Sequence, residues 1–197
     1  DSLKRITERA ARLQEPKEAL ALREKMVAEH ESYANDNAFP MKPQRILNDV
    51  RKVMGPDDIV ISDVGANKVW IARHYNCYKP NTCIISNGFA TMGIAVPGAI
   101  AAKLVHPDKK ILAITGDGGF MMNCQEFSTA ADNDIDVKVI VLHNHVLGMV
   151  TQWQRMFYHT HYSQTLLHGK TDLVKLAEAM GVAGCRINEP EELEPKL

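Results

Sequence analysis

A glycine-rich run with one carboxylate offers the clearest chemistry in the sequence. Gly116-Asp117-Gly118-Gly119-Phe120 follows a β-branched run and opens a helical pattern. Glycines at such a position let the backbone approach a phosphate, and the unpaired N–H groups at a helix start attract anions. The run lacks the Lys-Ser/Thr of a Walker loop, and Met121 stands where the third glycine of a G-x-G-x-x-G fingerprint belongs. The run therefore predicts a phosphate site of another kind.

Asp117 and Asn144 together predict a divalent metal site beside that phosphate. Asn144 follows the next β-branched run along the chain. A carboxylate and a neutral amide oxygen suit Mg²⁺, which takes oxygen ligands and shares them with substrate phosphates. Without this context, Asp117 would be an ordinary negative charge at a helix N-terminus.

Two histidine pairs could also indicate a metal. His143-x-His145 and His159-x-His161 have a spacing that would suit zinc. Neither pair has a third ligand at metal spacing in the sequence, so solvated or core histidines are the favoured interpretation.

The elements that must position these residues alternate between strand and helix. Such alternation predicts βαβ units, and hence an α/β fold with a doubly wound, mostly parallel sheet and helices on both faces. The predicted strands are residues 58–62, 82–86, 110–115, 137–142 and, more weakly, 184–187. The predicted helices are residues 2–31, 43–54, 67–74, 92–104, 123–132, 147–156 and 171–180. Asn123 with Glu126 predicts a capping box at the start of the helix over 123–132.

The carboxyl ends of the predicted strands carry small and polar residues. These strand ends are residues 62–67, 86–88, 116–119 and 143–145. Ligands of open parallel sheets bind in the crevice beyond the carboxyl ends of the strands. The sequence therefore predicts one sheet edge with backbone donors and oxygen ligands.

Composition excludes several classes of function. The 197 residues carry a net charge of −1, which argues against a nucleic-acid or anionic-membrane surface. No stretch approaches the ~20 apolar residues of a membrane span. The four cysteines form no C-x-x-C pair and predict reduced, buried thiols of an intracellular protein. The chain opens with Asp1 in a charged helical pattern, which predicts a piece of a longer polypeptide.

The same residues carry a family resemblance. Asp117 and Asn144 match the G-D-G…N-N signature of thiamine-diphosphate enzymes. The run Gly-Met-Val-Thr-Gln-Trp-Gln-Arg-Met-Phe-Tyr at 148–158 resembles the catalytic subunit of acetolactate (acetohydroxyacid) synthase. So do Tyr162-Ser163, residues 176–181, Asp63-Val-Gly65, Thr91-Met-Gly93 and Pro97. The resemblance covers roughly residues 42–197.

The resemblance implies thiamine diphosphate and Mg²⁺ as cofactors and assigns their ligands. The metal ligands would be Asp117, Asn144 and the backbone carbonyl of Val146. Gly118 and Gly119 would donate backbone N–H groups to the diphosphate. The cofactor-binding residues would be Val64, Gly65, Ala66, Asn67, Ala90, Met92, Gly116, Asp117, Gly118, Gly119, Asn144, Val146, Gly148 and Met149.

Three of these positions, together with Trp153, have more particular implied roles. Met92 would hold the cofactor bent, and Ala90 would offer its carbonyl to the aminopyrimidine. Met149 and Trp153 would face the reacting carbon and the acceptor ketoacid. Because Trp153 follows Met149 by one helical turn, the two side chains should share a face and a pocket.

The implied reaction decarboxylates pyruvate and transfers the hydroxyethyl unit to a second 2-ketoacid. Residues 1–39 would be the tail of a preceding middle domain with a linker, and residues 40–197 the thiamine-diphosphate-binding domain. The glutamate that protonates the aminopyrimidine would lie in another domain, usually on another subunit, so this chain alone should be inactive. FAD could serve the parent enzyme without binding this domain.

The resemblance also implies where and with what the chain works. Its partners would be the other domains and subunits of the parent enzyme. An apolar crevice ringed by Met92, Met149 and Trp153 predicts a homo-oligomer. No nucleic-acid or membrane partner is expected, and the location would be cytoplasmic in a bacterium.

The sequence departs from the family pattern in two places. Ala66 and Asn67 stand where a Gln or Ser and then a His are usual, which affects one or two diphosphate hydrogen bonds. His143 replaces the first Asn of the N-N pair, and it need not touch the metal because alternate strand residues face opposite sides. The alternatives are a sulfoacetaldehyde acetyltransferase, a 2-ketoacid decarboxylase, or a non-catalytic diphosphate-binding module.

Overall fold

The fold is built around one parallel sheet. The computed structural model describes residues 3–5 and 16–197. Its strands are β1 (Ile59–Ser62), β2 (Cys83–Ile85), β3 (Ile111–Gly116) and β4 (Lys138–Leu142), in the spatial order β2-β1-β3-β4. All three neighbouring pairs are parallel, with Ile61 opposite Ala113 and Ala113 opposite Val139. The predicted α/β class with a parallel sheet is confirmed.

The helices lie on both faces of this sheet. They are α1 (Lys17–Ser32), α2 (Pro43–Val53), α3 (Ala66–His74), α4 (Ala95–Val105), α5 (Asp117–Asn123), α6 (Glu126–Asp132), α7 (Gly148–Phe157), α8 (Leu173–Ala179) and α9 (Leu193–Lys196), with a 3₁₀ turn at Pro190–Glu192. The predicted helix over residues 123–132 is α6 alone, and a separate short helix, α5, precedes it.

Alternation along the strands divides the core into two halves. Val60, Leu112 and Ile114 pack with α2, α3 and Leu193 on one face. Ile61 and Ala113 point to the other face, where α4 covers them. Because successive side chains of a strand face opposite sides, a central strand buried on both faces is mostly apolar, and Ser62 and Thr115 are buried polar residues near the carboxyl ends of β1 and β3. This apolar preference explains the β-branched runs.

Two expectations from the sequence are wrong. Residues 184–187 take part in no strand pairing within the described ranges. Gly184 instead packs against Val174 of α8, and Ile187 alone reaches the core on the α2 side. All four cysteines are free, but only Cys124 is buried, whereas Cys77 and Cys185 are exposed because they lie in loops.

The N-terminal helix is attached to the sheet domain by a few polar contacts. None of the residues of α1 is buried. Arg73 of α3 pairs with Glu29 at 2.6 Å, and the rings of His30 and His74 meet edge to face at 5.1 Å. The predicted helix over residues 2–31 is helical at 3–5 and 17–31, and its residues 2 and 6–15 lie outside the described part. None of the helices in the described ranges combines the length and apolar character that crossing a membrane requires.

Candidate functional site

A cleft of about 90 Å³ lies at the carboxyl ends of the strands. The chain passes from β1 to β2 on one side and then to β3 on the other, so the strand order reverses between β1 and β3. This reversal is where open α/β sheets bind their ligands. The cleft is lined by Val64, Gly65, Ala66, Asn67, Trp70, Met92, Gly116, Asp117, Gly118, Gly119, Leu142, Asn144, Val146, Leu147, Gly148, Met149 and Val150. Every predicted cofactor-binding residue except Ala90 is therefore in this lining.

The end of β1 forms one wall of the cleft. Gly65 has a φ of +138°, a conformation that disfavours any side chain, and it immediately precedes the first residue of α3. Asn67 is buried, and its Nδ2 donates to the carbonyl oxygen of Asp63 at 2.9 Å. The Asn67 amide therefore holds the β1 end in shape, and the predicted position of Asn67 along the diphosphate stays a prediction.

Asp63 anchors the loop that carries Met92. Its side chain is 1% exposed, and its Oδ1 accepts hydrogen bonds from the backbone amides of Val64 at 2.7 Å and Gly93 at 2.9 Å. Its Oδ2 accepts from the Ala95 amide at 3.1 Å. The sequence motif includes Asp63 but does not reveal this role, because Gly93 and Ala95 are some 30 residues away along the chain.

Met92 and Ala90 differ in their relation to the cleft. Met92 lines the cleft. The Cε atom of Met92 would lie 3.6 Å from a Cβ placed on Gly118, so the Met92 side chain lies close to the glycines at the start of α5. Ala90 has a φ of +50° and lies outside the lining, next to the exposed Phe89. The predicted role of its carbonyl stays a prediction.

The end of β3 brings the carboxylate into the cleft. Asp117 is buried, and its Oδ1 accepts from the Gly118 amide at 2.9 Å. Its Oδ2 accepts from the His145 amide at 2.6 Å, which ties β3 to the loop after β4. In this structure the Gly118 N–H thus serves Asp117, whereas the family resemblance assigns it to the diphosphate.

The loop after β4 turns sharply and presents two oxygens. His145 has a φ of +58°, and Oδ1 of Asn144 accepts from the Val146 amide at 3.2 Å. Val146 forms an antiparallel bridge with Leu166, but the two bridge hydrogen bonds end on the carbonyls of His145 and Thr165. The bridge therefore leaves the Val146 carbonyl available as a metal ligand.

The donor set fits the chemistry of Mg²⁺. A buried carboxylate, an amide oxygen and a backbone carbonyl all line one cleft, at Asp117, Asn144 and Val146. Hard cations such as Mg²⁺ prefer oxygen ligands and complete their shell with water or phosphate oxygens. The residues present are therefore compatible with the predicted ion.

The histidines beside this carboxylate are closer than the sequence suggested. His143 Nε2 lies 3.9 Å from Oδ2 of Asp117, and the rings of His143 and His145 are 4.1 Å apart. Partial burial, followed by the neighbouring His145 charge, lowers the pKa of His143. The expectation that the pair has no third partner is wrong, because folding brings Asp117 from the preceding strand end to both imidazoles.

Helix α7 closes the far side of the cleft. A Cβ on Gly148 would lie 3.0 Å from the Cβ of Ala66, so a side chain at this position would crowd the contact between α7 and α3. Met149 lines the cleft, but Trp153 does not. Trp153 is 57% exposed and packs on Phe157 at a ring separation of 5.2 Å. Since a helix rises ~6 Å over four residues, Trp153 shares the face of Met149 yet lies beyond the cleft.

The predicted capping box at Asn123 is also wrong. Asn123 Nδ2 donates to the Gly93 carbonyl at 3.0 Å, and α6 begins after Gln125 with no side-chain cap. Glu126 accepts from the Thr129 hydroxyl at 2.9 Å. Asn123 therefore holds the Met92 loop through the carbonyl of Gly93, whereas Asp63 holds it through the Gly93 amide. The spacing between Asn123 and Glu126 could not reveal this long-range contact.

The fold and the cleft by themselves define a class of protein. This is an α/β domain of the kind that binds a phosphorylated ligand at the switch point of a parallel sheet. Residues 63–197 match the family described as thiamine pyrophosphate enzyme, C-terminal TPP binding domain, and the chain belongs to that family.

Several curated relatives are acetolactate synthase large subunits. A probable acetolactate synthase large subunit from Methanococcus aeolicus is 40% identical over 164 residues, which cover 81% of this chain and 27% of that protein. The acetolactate synthase large subunit of Haemophilus influenzae is 43% identical over 157 residues, with 80% and 27% coverage. The isozyme 3 large subunit of Escherichia coli is 41% identical over 157 residues, again with 80% and 27% coverage. The chain thus spans about a quarter of the length of these relatives.

Proposed function

We propose that this chain is the thiamine-diphosphate- and Mg²⁺-binding domain of an acetolactate-synthase-like enzyme. The observation that carries the proposal is the convergence of three strand ends on one cleft, where Asp117, Asn144 and Val146 supply oxygen donors beside Gly118 and Gly119. Membership of the thiamine pyrophosphate enzyme family supports the identity of the cofactor.

Asp117 is the central residue of the proposed ion site. Its buried carboxylate would bind Mg²⁺ together with the Asn144 amide oxygen and the Val146 carbonyl. An ion at these ligands would neutralise the diphosphate and fix its position. The backbone amide of His145 donates a hydrogen bond to Oδ2 of Asp117 and keeps the carboxylate oriented toward the loop after β4.

The remaining residues of the cleft would orient the cofactor. Thiamine diphosphate, when bound, supplies the carbanion chemistry, and the protein supplies geometry and dry surroundings. Met92 would support the bent cofactor, and its loop is held from opposite sides by Asp63 and Asn123. Apolar side chains of Met149 and Val150 would exclude water from the reacting centre.

The reaction that this domain would serve decarboxylates pyruvate and transfers the hydroxyethyl unit to a second 2-ketoacid. Residues 1–39 would belong to the preceding domain with its linker, which agrees with the exposed surface of α1. Trp153 would then contact the acceptor ketoacid at a site completed by other parts of the enzyme, and homo-oligomer formation would cover the apolar face of α7.

The catalytic glutamate would also come from outside this chain. No glutamate of the described ranges lines the cleft, and Glu126 is engaged with Thr129 on α6. We therefore expect the 197-residue chain, supplied with pyruvate, thiamine diphosphate and Mg²⁺, to form acetolactate no faster than the cofactor alone. Acetolactate formation well above that rate would contradict this assignment.

Calorimetry separates this function from a non-catalytic nucleotide-binding module. The chain is titrated with thiamine diphosphate and with ADP, each with Mg²⁺ and with EDTA. We expect binding of thiamine diphosphate that depends on Mg²⁺ and exceeds the binding of ADP. Tighter binding of ADP, or binding of thiamine diphosphate that is unchanged in EDTA, would contradict the proposal.

A further inference from the structure

A cluster of three possible metal ligands lies at the edge of the cleft. One ligand atom from each of Asp117, His143 and His145 lies within 4.8 Å of the other two. His143 Nε2 lies 3.9 Å from Oδ2 of Asp117. Among the described residues, His159 and His161 belong to no such cluster.

The backbone explains why these side chains meet. His143 and His145 both lie in the loop that follows β4, where their rings are 4.1 Å apart. His145 then adopts a φ of +58°, and its amide donates to Oδ2 of Asp117 at 2.6 Å. This hydrogen bond from the His145 amide holds the Asp117 carboxylate beside the loop that carries both histidines. The main chain therefore positions the cluster.

The chemistry of the cluster favours a transition ion over Mg²⁺. Imidazole nitrogens suit Zn²⁺, Ni²⁺ and Cu²⁺, whereas Mg²⁺ takes oxygen ligands. A metal bonds His nitrogen and carboxylate oxygen at ~2.0–2.2 Å, so one ion can bridge two atoms 3.9 Å apart. His145 is exposed and the His143 side chain keeps 26% of its surface exposed, so an ion can reach both imidazoles from solvent.

We propose that Asp117, His143 and His145 form a binding site for a divalent transition ion of the Zn²⁺ type. Two imidazoles and one carboxylate leave open coordination positions for water, as in other sites with this ligand set. Because the carboxylate of Asp117 is shared, an ion at this site opposes the binding of Mg²⁺ and thiamine diphosphate. This last consequence rests on the proposed function, whereas the transition-ion site does not.

The site itself is tested without thiamine diphosphate. The untagged chain is titrated with Zn²⁺ by calorimetry and with Co²⁺ by visible absorption, which reports directly on nitrogen and oxygen ligation. We expect one ion per chain. Since losing even a partner of a metal ligand costs about 10–100-fold in affinity, His143→Gln and His145→Gln should each weaken binding at least about tenfold.

His159→Gln is the matched control, because His159 is an exposed histidine outside the cluster. Its affinity for Zn²⁺ should equal that of the unmodified chain. Equal Zn²⁺ affinity in His143→Gln, His145→Gln and the unmodified chain would overturn the site. Neither substituted histidine belongs to the buried core, so these variants test ligation without disturbing it.

A second titration tests the antagonism. Saturating Zn²⁺ should weaken the binding of thiamine diphosphate in Mg²⁺ at least about tenfold, and a chain with both histidines replaced by Gln should lose this effect. Zn²⁺ binding with undiminished affinity for thiamine diphosphate would overturn the antagonism alone. Zn²⁺ binding in a chain that never binds thiamine diphosphate would instead contradict the proposed function and leave the site standing.

Discussion

The two ends of the parallel sheet carry cavities of different size and different chemistry. The cleft at the carboxyl ends has a volume of about 90 Å³, and a cavity at the opposite end has about 220 Å³. The larger cavity lies among the starts of β3 and β4 and the end of α2, where its lining combines apolar residues such as Met54 and Leu112 with lysines such as Lys138.

The groups that line these cavities explain why the smaller one is the candidate site. At the amino end, Lys103 Nζ donates to the carbonyls of Pro107 and Lys109, and Lys110 Nζ donates to the carbonyl of Val53. These amines tie loops together. At the carboxyl end, glycines and strand ends surround one buried carboxylate, and main-chain hydrogen bonds set its orientation. The comparison shows that reactive groups held in one orientation, and not the volume of the cavity, indicate a binding site.

The largest effect is expected where the carboxyl end is most crowded. A Cβ on Gly119 would lie 2.8 Å from Oδ1 of Asp63 and 2.8 Å from the Thr115 hydroxyl, and both groups are buried. Gly119→Ala should lower the free energy of unfolding by about 1–3 kcal/mol and abolish the binding of thiamine diphosphate, because Asp63 must move. Urea unfolding and calorimetry measure the two effects.

Gly169→Ala is the control for this substitution. No atom lies within 4 Å of a Cβ built on Gly169, so this variant should keep the stability of the unmodified chain. Equal stability and binding in the Gly119 and Gly169 variants would show that the carboxyl end is not the rigid site described above.

A smaller effect is expected from loosening the Met92 loop. Asp63→Asn replaces one carboxylate oxygen with an NH₂ group, which then faces a backbone amide donor such as that of Ala95. Leaving a buried group unsatisfied costs about 1–3 kcal/mol, so unfolding should become easier and binding of thiamine diphosphate several-fold weaker. Asp108→Asn, at the exposed rim of the amino-end cavity, should change neither quantity. Equal effects of both substitutions would remove the distinction between the two ends.

The smallest effect concerns pH and lies away from the cleft. Burial, followed by the charges of His30 and Arg73, lowers the pKa of His74, while Glu29 acts in the opposite direction. A histidine with a lowered pKa takes up a proton less readily in the folded chain than in the unfolded chain, so its contribution to stability is complete above the unfolded pKa of ~6.5 and is lost as pH falls below it. Unfolding should therefore become easier between about pH 7 and pH 5.

His74→Gln should reduce this pH dependence, whereas replacement of the exposed His168 by Gln should not. Urea unfolding at several pH values measures the difference. An unchanged pH dependence in His74→Gln would show that the contact between α1 and α3 does not contribute to acid sensitivity.

The sequence predicted local structure and strand-end chemistry well. The β-branched runs located all four strands of the described residues because a sheet covered on both faces favours apolar residues on both sides of its strands. The positions of the strand ends then followed, so the sequence alone could assign Asp117, Asn144 and the glycines to one edge of the sheet. These predictions succeeded because each depends on a few adjacent residues.

Contacts between distant residues were not predictable in the same way. The role of Asp63 depends on amides at Gly93 and Ala95, and the capping box failed because Asn123 binds the Gly93 carbonyl. Helical spacing correctly placed Trp153 on the face of Met149 but could not show where the cleft ends. A single sequence does not show which residues that are far apart in the chain come close together in the fold.

The central claim is that the Asp117 carboxylate binds the ion that holds thiamine diphosphate. The most direct measurement is calorimetric titration of thiamine diphosphate into the chain at fixed Mg²⁺, with Asp117→Asn and Lys138→Gln compared with the unmodified chain. Because Asn keeps the shape of Asp117 but loses its charge, the fold should persist while affinity falls at least about tenfold. Lys138 lines the amino-end cavity, so its substitution should leave affinity unchanged. Undiminished affinity in a folded Asp117→Asn variant would contradict the account.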